Sequence, residues 1–197
     1  MSRESNRDFV RSTLYAIATA PSLRDLNASL VLKGGIALML RYDSDRVSQR
    51  DMDFGLTHTN HRLTQVDSDN LLVELAEWTA QPVGSRTIRI VGESIDTPRI
   101  SYIHPRTLER GELTLQTSGL QVPPVLATEI LSRGLRPFTT YDGKPFRFRV
   151  LELDEIAAEK MCRLWRQDKR PPRLADLYDI GFCAEQSDFN MSACFMS

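Results

Sequence analysis

An apolar run, Leu30-Val31-Leu32, meets Lys33-Gly34-Gly35 and passes directly into the helix-forming segment Ile36-Ala37-Leu38-Met39-Leu40. This junction limits the fold more than any other feature of the chain. Its spacing predicts a strand, a glycine turn and a helix in immediate succession. Paired glycines let the backbone turn sharply and aim successive N–H groups at one point. The helix N-terminus adds partial positive charge there, and Lys33 adds a full one. Such a turn suits a nucleotide triphosphate. Taken singly it is also an ordinary tight turn, and the GxxxxGK[ST] spacing of a P-loop is absent.

Sixteen residues further on stands Asp51-Met52-Asp53, within a stretch, Asp51–Leu56, that alternates polar and apolar as a half-buried strand does. On a strand the two aspartates share one face while Met52 points into the core. Two adjacent carboxylates repel unless a proton or a cation intervenes, and a hard divalent ion with oxygen ligands, Mg²⁺ above all, answers that need. Alone, the pair also reads as a solvated strand edge. The two features in this order resemble the pattern of the DNA polymerase β-like nucleotidyltransferase superfamily, which implies a phosphate cradle beside a metal site.

Around this centre the periodicity predicts a helix over Asp8–Thr19, a second over Leu71–Trp78, and strands at Thr87–Val91, Arg99–Ile103 and Glu112–Thr117. Tyr141-Asp142-Gly143-Lys144 signals a turn between short extended pieces. From Asp154, read as a helix cap, the pattern becomes helical through Gln167; Pro171-Pro172 breaks it, and another helix runs over Leu174–Glu185. The expected architecture is α+β: a mixed sheet domain with flanking helices over residues 1–150, and a helical C-terminal lobe over 151–197 packed on it. About 45 residues rarely sustain a core of their own.

Lys+Arg 25 against Asp+Glu 26 leaves a net charge of -1, which excludes a wholly basic nucleic-acid binder. Contact with a polyanion must come from local clustering, and Arg163, Arg166, Lys169, Arg170 and Arg173, interrupted only by Asp168, form such a cluster. No stretch has the length of a membrane span and the first residues lack a signal-peptide core, so a soluble, cytoplasmic protein is expected. Cys162, Cys183 and Cys194 are too irregularly spaced for disulfides or a zinc knuckle, and the two within predicted helices read as small buried hydrophobes. His58 and His61 lack further metal ligands and read as loop residues.

In the C-terminal part, Ala157, Met161, Leu164 and Trp165 form an apolar stripe flanked by Lys160. Further on, Leu174, Leu177 and Tyr178 share one helix face while Asp176 and Asp179 share the opposite one. Lys160 reads as a snorkelling lysine or one that reaches into a cleft. The two aspartates read as a solvated face or as partners of nearby basic residues. Taken together and in order, Lys33-Gly34-Gly35-Ile36-Ala37-Leu38-Met39-Leu40, Asp51-Met52-Asp53-Phe54, Ile156-Ala157-Ala158-Glu159-Lys160 and Ala175-Asp176-Leu177-Tyr178-Asp179 resemble the AbiEii/AbiGii (MenT-like) nucleotidyltransferase toxins of bacterial toxin–antitoxin and phage-defence systems. The resemblance spans roughly residues 30–185.

The resemblance implies that Gly34 and Gly35, with Lys33, contact the nucleotide phosphates. It implies that Asp51 and Asp53 bind Mg²⁺, that Lys160 reaches the triphosphate, and that Asp176 is the acidic residue of the helical motif. It further implies transfer of nucleotides from an NTP to the 3′ acceptor end of tRNA, with pyrophosphate leaving and translation blocked, and a cognate antitoxin. Two alternatives stand beside this: a protein or small-molecule hydroxyl as acceptor, and a nucleotide-binding partner protein with degenerate chemistry. The chain departs from the family pattern at three points. Gln49 stands where Ser or Thr is frequent, with Ser48 one position earlier as the nearest hydroxyl for the nucleotide. Ala175 precedes Asp176 where arginine is usual. On the Glu112–Thr117 strand, Glu112 offers a third carboxylate while Gln116 occupies the expected place.

Overall fold

The first helix, α1 (Arg3–Thr19), starts where Ser2 caps it, the serine side chain accepting from the Ser5 N–H. Apolar spacing placed that start at Asp8; the cap moves it to Arg3. The computed structural model describes residues 2–44, 51–56, 64–75, 78, 99–119, 129–130, 132–165 and 173–190. Of the predicted features, Ser48, Gln49, His58, His61, the strand Thr87–Val91, Arg166, Lys169, Arg170 and Cys194 lie outside the described residues.

After α1 the order is α2 (Arg24–Ser29), β1 (Leu30–Lys33), α3 (Gly34–Tyr42), β2 (Asp51–Leu56), α4 (Gln65–Glu74), β3 (Arg99–Ile103), β4 (Arg110–Gly119), β5 (Arg136–Thr139), β6 (Pro145–Phe148), α5 (Leu153–Trp165) and α6 (Leu174–Ala184). Strand, glycine turn and helix thus follow one another as predicted. Helix α4 overlaps the predicted Leu71–Trp78 but starts six residues earlier, because Thr64 and Asp67 form a reciprocal capping box. Thr64 N–H donates to Asp67 Oδ2 at 2.9 Å and Asp67 N–H to Thr64 Oγ1 at 3.1 Å. Strands β5 and β6 form an antiparallel hairpin around the Tyr141–Lys144 turn.

Four strands make a mixed sheet in the order β1-β2-β4-β3. Strand β2 is antiparallel to β1 and parallel to β4, and β3 is antiparallel to β4. Met52, Phe54, Leu113 and Leu115 are buried from this sheet, and Phe9 of α1 stacks on Tyr102 of β3 with ring centroids 3.8 Å apart. The segment before α5 adds to the free edge of β1. Leu32 N–H donates to Arg149 O at 2.9 Å, and Leu151 N–H to Leu32 O at 3.0 Å. That short parallel bridge delivers α5 to the Lys33 end of β1, and α5 packs against α6. The result is an α+β fold with a mixed sheet, flanking helices and a C-terminal helical pair.

Three expectations about these last helices need correction. Asp154 does not cap α5; it lies inside the first turn, and Glu155 reaches back to the Glu152 N–H at 2.8 Å. The buried stripe of α5 is Leu153, Ile156, Ala157 and Lys160, so Lys160 belongs to the stripe and Trp165, 88% exposed, does not. Helix α6 buries Asp176, Asp179 and Cys183 while Leu174, Leu177 and Tyr178 face solvent. The carboxylates are not a solvated face: a buried lysine on α5 supplies the charge they need. Cys183 is buried as expected, and Cys162 is exposed.

Candidate active site

The β1–α3 turn sets the geometry of the site. Gly34 has φ +69, a left-handed conformation that glycine adopts without strain, and a Cβ there would stand 2.7 Å from Asp53 Oδ2. There is therefore no room for a side chain between the turn and the second aspartate. The helix that follows has Lys33 at its N-cap position with no side-chain capping bond, so no side chain of the cap covers the first-turn donors of α3. Gly34 and Gly35 are both buried.

Asp51 and Asp53 share a face of β2 with Met52 between them on the core side, as the alternation predicts. Asp51 is exposed and Asp53 partly buried. Neither carboxylate has a hydrogen bond or ion pair among the described residues. Asp53 lies across the ladder from Lys33 on one side and from Gln116 on the other, while Asp51 lies across from Thr114. Glu112 is on the same face of β4, one alternation before Thr114, so the place beside Asp53 is held by an amide. Burial raises the pKa of the Asp53 carboxyl and Asp51 acts in the same direction, while Lys33 and Lys160 oppose it.

Two lysines approach this face and each is claimed by the C-terminal helices. Lys33, only 4% exposed, pairs with Glu159 of α5. Lys160, the next residue on α5, donates to Asp176 Oδ1 at 2.7 Å and lies 2.9 Å from Asp179 Oδ2. Arg163 stands 3.8 Å from the same Asp176 oxygen, and the other oxygen of Asp176, Oδ2, is buried without a hydrogen-bond partner among the described residues. Residues 159 and 160 project about 100° apart on the helix, so one serves the sheet and the other α6. The structure thus brings Lys33, Gly34, Gly35, Asp51 and Asp53 together at one strand end, with Lys160 close enough for its charge to act on Asp53. Lys160 and Asp176 bind each other.

Sequence reasoning left two members of this group without a role. Glu159 stands inside a recognised motif, and its only signal was adjacency to Lys160. Asp179 was visible as the i+3 companion of Asp176, but its burial was not. Among the described residues no group of three or more His, Cys, Asp or Glu is arranged to hold a metal ion. The two aspartates still fit Mg²⁺, which is commonly held by one or two carboxylates together with water and substrate phosphates.

Among the described residues no helix is long and apolar enough to cross a membrane. A family model described as nucleotidyl transferase AbiEii toxin, type IV TA system, matches residues 18–194. Similar folds occur in JHP933 of Helicobacter pylori (TM-score 0.58, 19% identity, covering 98% of this chain and 72% of that one). A second H. pylori structure, assigned as a nucleotidyltransferase, has TM-score 0.56 at 21% identity and covers 98% and 74%. An antigenic nucleotidyltransferase-like protein from Paracoccidioides brasiliensis gives 0.52 at 18%, covering 93% and 77%. At these identities the likeness is one of fold. No curated protein matches the sequence.

Proposed function

The chain belongs to the AbiEii nucleotidyl transferase toxin family of type IV toxin–antitoxin systems, and from that membership we propose a Mg²⁺-dependent enzyme that transfers nucleotides from an NTP to the 3′ acceptor end of tRNA. Pyrophosphate leaves, the extended tRNA cannot be aminoacylated, and translation stops. The observation that carries the metal-dependent reading is the pair Asp51 and Asp53, on one strand face, without partners among the described residues, with Asp53 against the Gly34 turn. Both aspartates would hold Mg²⁺, which when bound supplies Lewis-acid stabilisation of charge on the phosphate oxygens. Gly34 and Gly35 present backbone donors to the phosphates at the start of α3. Ser48, one position before Gln49 in the sequence, would offer a hydroxyl to the nucleotide.

Lys160, held by Asp176 and Asp179, contributes its positive charge to the field at Asp53, and in this role it offsets the repulsion between phosphate and aspartate. The acceptor assignment rests on the family and on the basic cluster that begins at Arg163. A cognate antitoxin and a cytoplasmic setting, where NTP and tRNA both occur, belong to the same proposal.

The test is transfer of label from each α-labelled NTP to purified tRNA, to total RNA and to cell extract, with Mg²⁺ and with EDTA. Label at the tRNA 3′ end only when Mg²⁺ is present is the expected result. Label in protein or in a small molecule would reassign the acceptor. Gln116 beside Asp53 supports a second reading, a nucleotide-binding partner with degenerate chemistry; NTP binding with no transfer to any acceptor would establish it.

A further inference from the structure

We propose that Glu159 is a positioning residue that holds the Lys33 ammonium away from Asp53 and so keeps that carboxylate open for a divalent cation. The inference rests on the metal-dependent reading above.

Lys33 and Asp53 are direct partners in the antiparallel β1–β2 ladder. Partners of this kind share a sheet face, with Cβ atoms about 4.5–5.5 Å apart. A lysine opposite an aspartate ordinarily pairs with it. Here it does not: Lys33 pairs with Glu159, 126 positions away in the chain, and Asp53 has no hydrogen bond or ion pair among the described residues. Lys33 is buried, and a buried ammonium requires a counter-ion. Without the Glu159 carboxylate, the nearest one along the ladder is Asp53. A lysine seated there neutralises the charge a metal needs and occupies its place. The second lysine near Asp53 is restrained in the same manner, with Lys160 bound between Asp176 and Asp179.

A plainer role exists for Glu159, a buried ion pair that merely ties α5 to β1. The two roles separate in the folded single variant. If Glu159 acts by restraining Lys33, folded Glu159→Gln loses metal affinity and the added Lys33→Met restores it; if the pair only ties α5 to β1, Glu159→Gln lowers the thermal midpoint and leaves the metal affinity of the folded protein unchanged.

The experiment is titration of the full chain with Mn²⁺ alone, without nucleotide, following the free-ion EPR signal, with circular dichroism to verify folding. Glu159→Gln is expected to weaken Mn²⁺ binding about 10–100-fold, the usual cost of losing a residue that supports a metal ligand. The double variant is expected to bind within about threefold of wild type, because the competing ammonium is gone. Wild-type affinity in Glu159→Gln, or weak binding in a folded double variant, overturns the proposal. Should Glu159→Gln fail to fold, Glu159→Asp takes its place: it keeps the charge on a shorter reach, so weakened Mn²⁺ binding that Lys33→Met restores is expected, and wild-type affinity in folded Glu159→Asp overturns the proposal. Asp53→Asn separates this inference from its premise: unchanged Mn²⁺ binding there overturns the metal reading and the proposal with it.

Discussion

Oδ2 of Asp53 lies 2.7 Å from where a Cβ on Gly34 would stand. The carboxylate and the glycine turn occupy one space, so a change to either is felt by both.

Gly34→Ala therefore meets two obstacles. A left-handed conformation costs an alanine about 1–2 kcal/mol, and the new methyl displaces the Asp53 carboxylate. A lower thermal midpoint is expected, together with loss of nucleotide transfer far beyond what reduced stability explains, measured below the midpoint of the variant. Retained transfer would show that the Asp53 position is not used.

Asp53→Asn tests the buried charge. Burial raises the folded-state pKa of this carboxyl above its ordinary 3.8. The cost of ionising it in the folded protein is absent below that ordinary value, grows as pH rises, and is complete above the raised one. The asparagine variant carries no such cost. Thermal melts should place it above wild type at about pH 7 and level with it near about pH 3. Equal midpoints at both pH values would contradict the assignment.

Helix α6 is expected to respond to mutation against its hydrophobic pattern. Asp179→Ala and Lys160→Ala each leave a buried charge without its full set of partners and should cost about 3–5 kcal/mol in urea unfolding. Leu177→Ser and Leu174→Ser, on the solvent side, should stay within about 0.5 kcal/mol. A large loss at Leu177 would mean that this face is covered in solution.

The acceptor surface is tested through salt. Arg166→Glu with Arg170→Glu should weaken tRNA binding for all tRNA species and lower the slope of log affinity against log salt by about two. NTP affinity should be retained. An unchanged slope would place the acceptor elsewhere.

At the other end of the chain, Glu109 accepts from the Ser2 backbone N–H, from the Ser2 hydroxyl at 2.7 Å and from the Ser5 hydroxyl. These bonds, those from the Ser5 and Ser2 side chains foremost, hold its pKa down to about 2. A depressed value stabilises the fold at pH above the ordinary 4.5, and that contribution is lost as pH falls from there towards 2. Glu109→Gln should melt below wild type at neutral pH, with the difference shrinking through that window. A constant difference would assign the effect to packing.

Much of the candidate site was legible in the sequence. Leu30–Leu32, the glycine pair and the apolar helix behind it are local signals. Asp51 and Asp53 share a face because side chains on a strand alternate. What periodicity assigned wrongly was the inner face of α6 and the place of Lys160 on α5. Hydrophobic pattern identifies the buried side only while apolar burial dominates, and here charges that compensate one another are buried instead.

The sequence by itself determined the succession of strand, glycine turn and helix and the aspartate pair, since each depends on neighbours a few residues apart. Tertiary structure decided which charges meet. Lys160 finds Asp176 16 positions on, and Lys33 finds Glu159 126 positions on, only after the strand pairing at Leu32 has brought α5 to the sheet. A lysine carries no mark of which carboxylate will claim it; that depends on distance and desolvation in the folded chain.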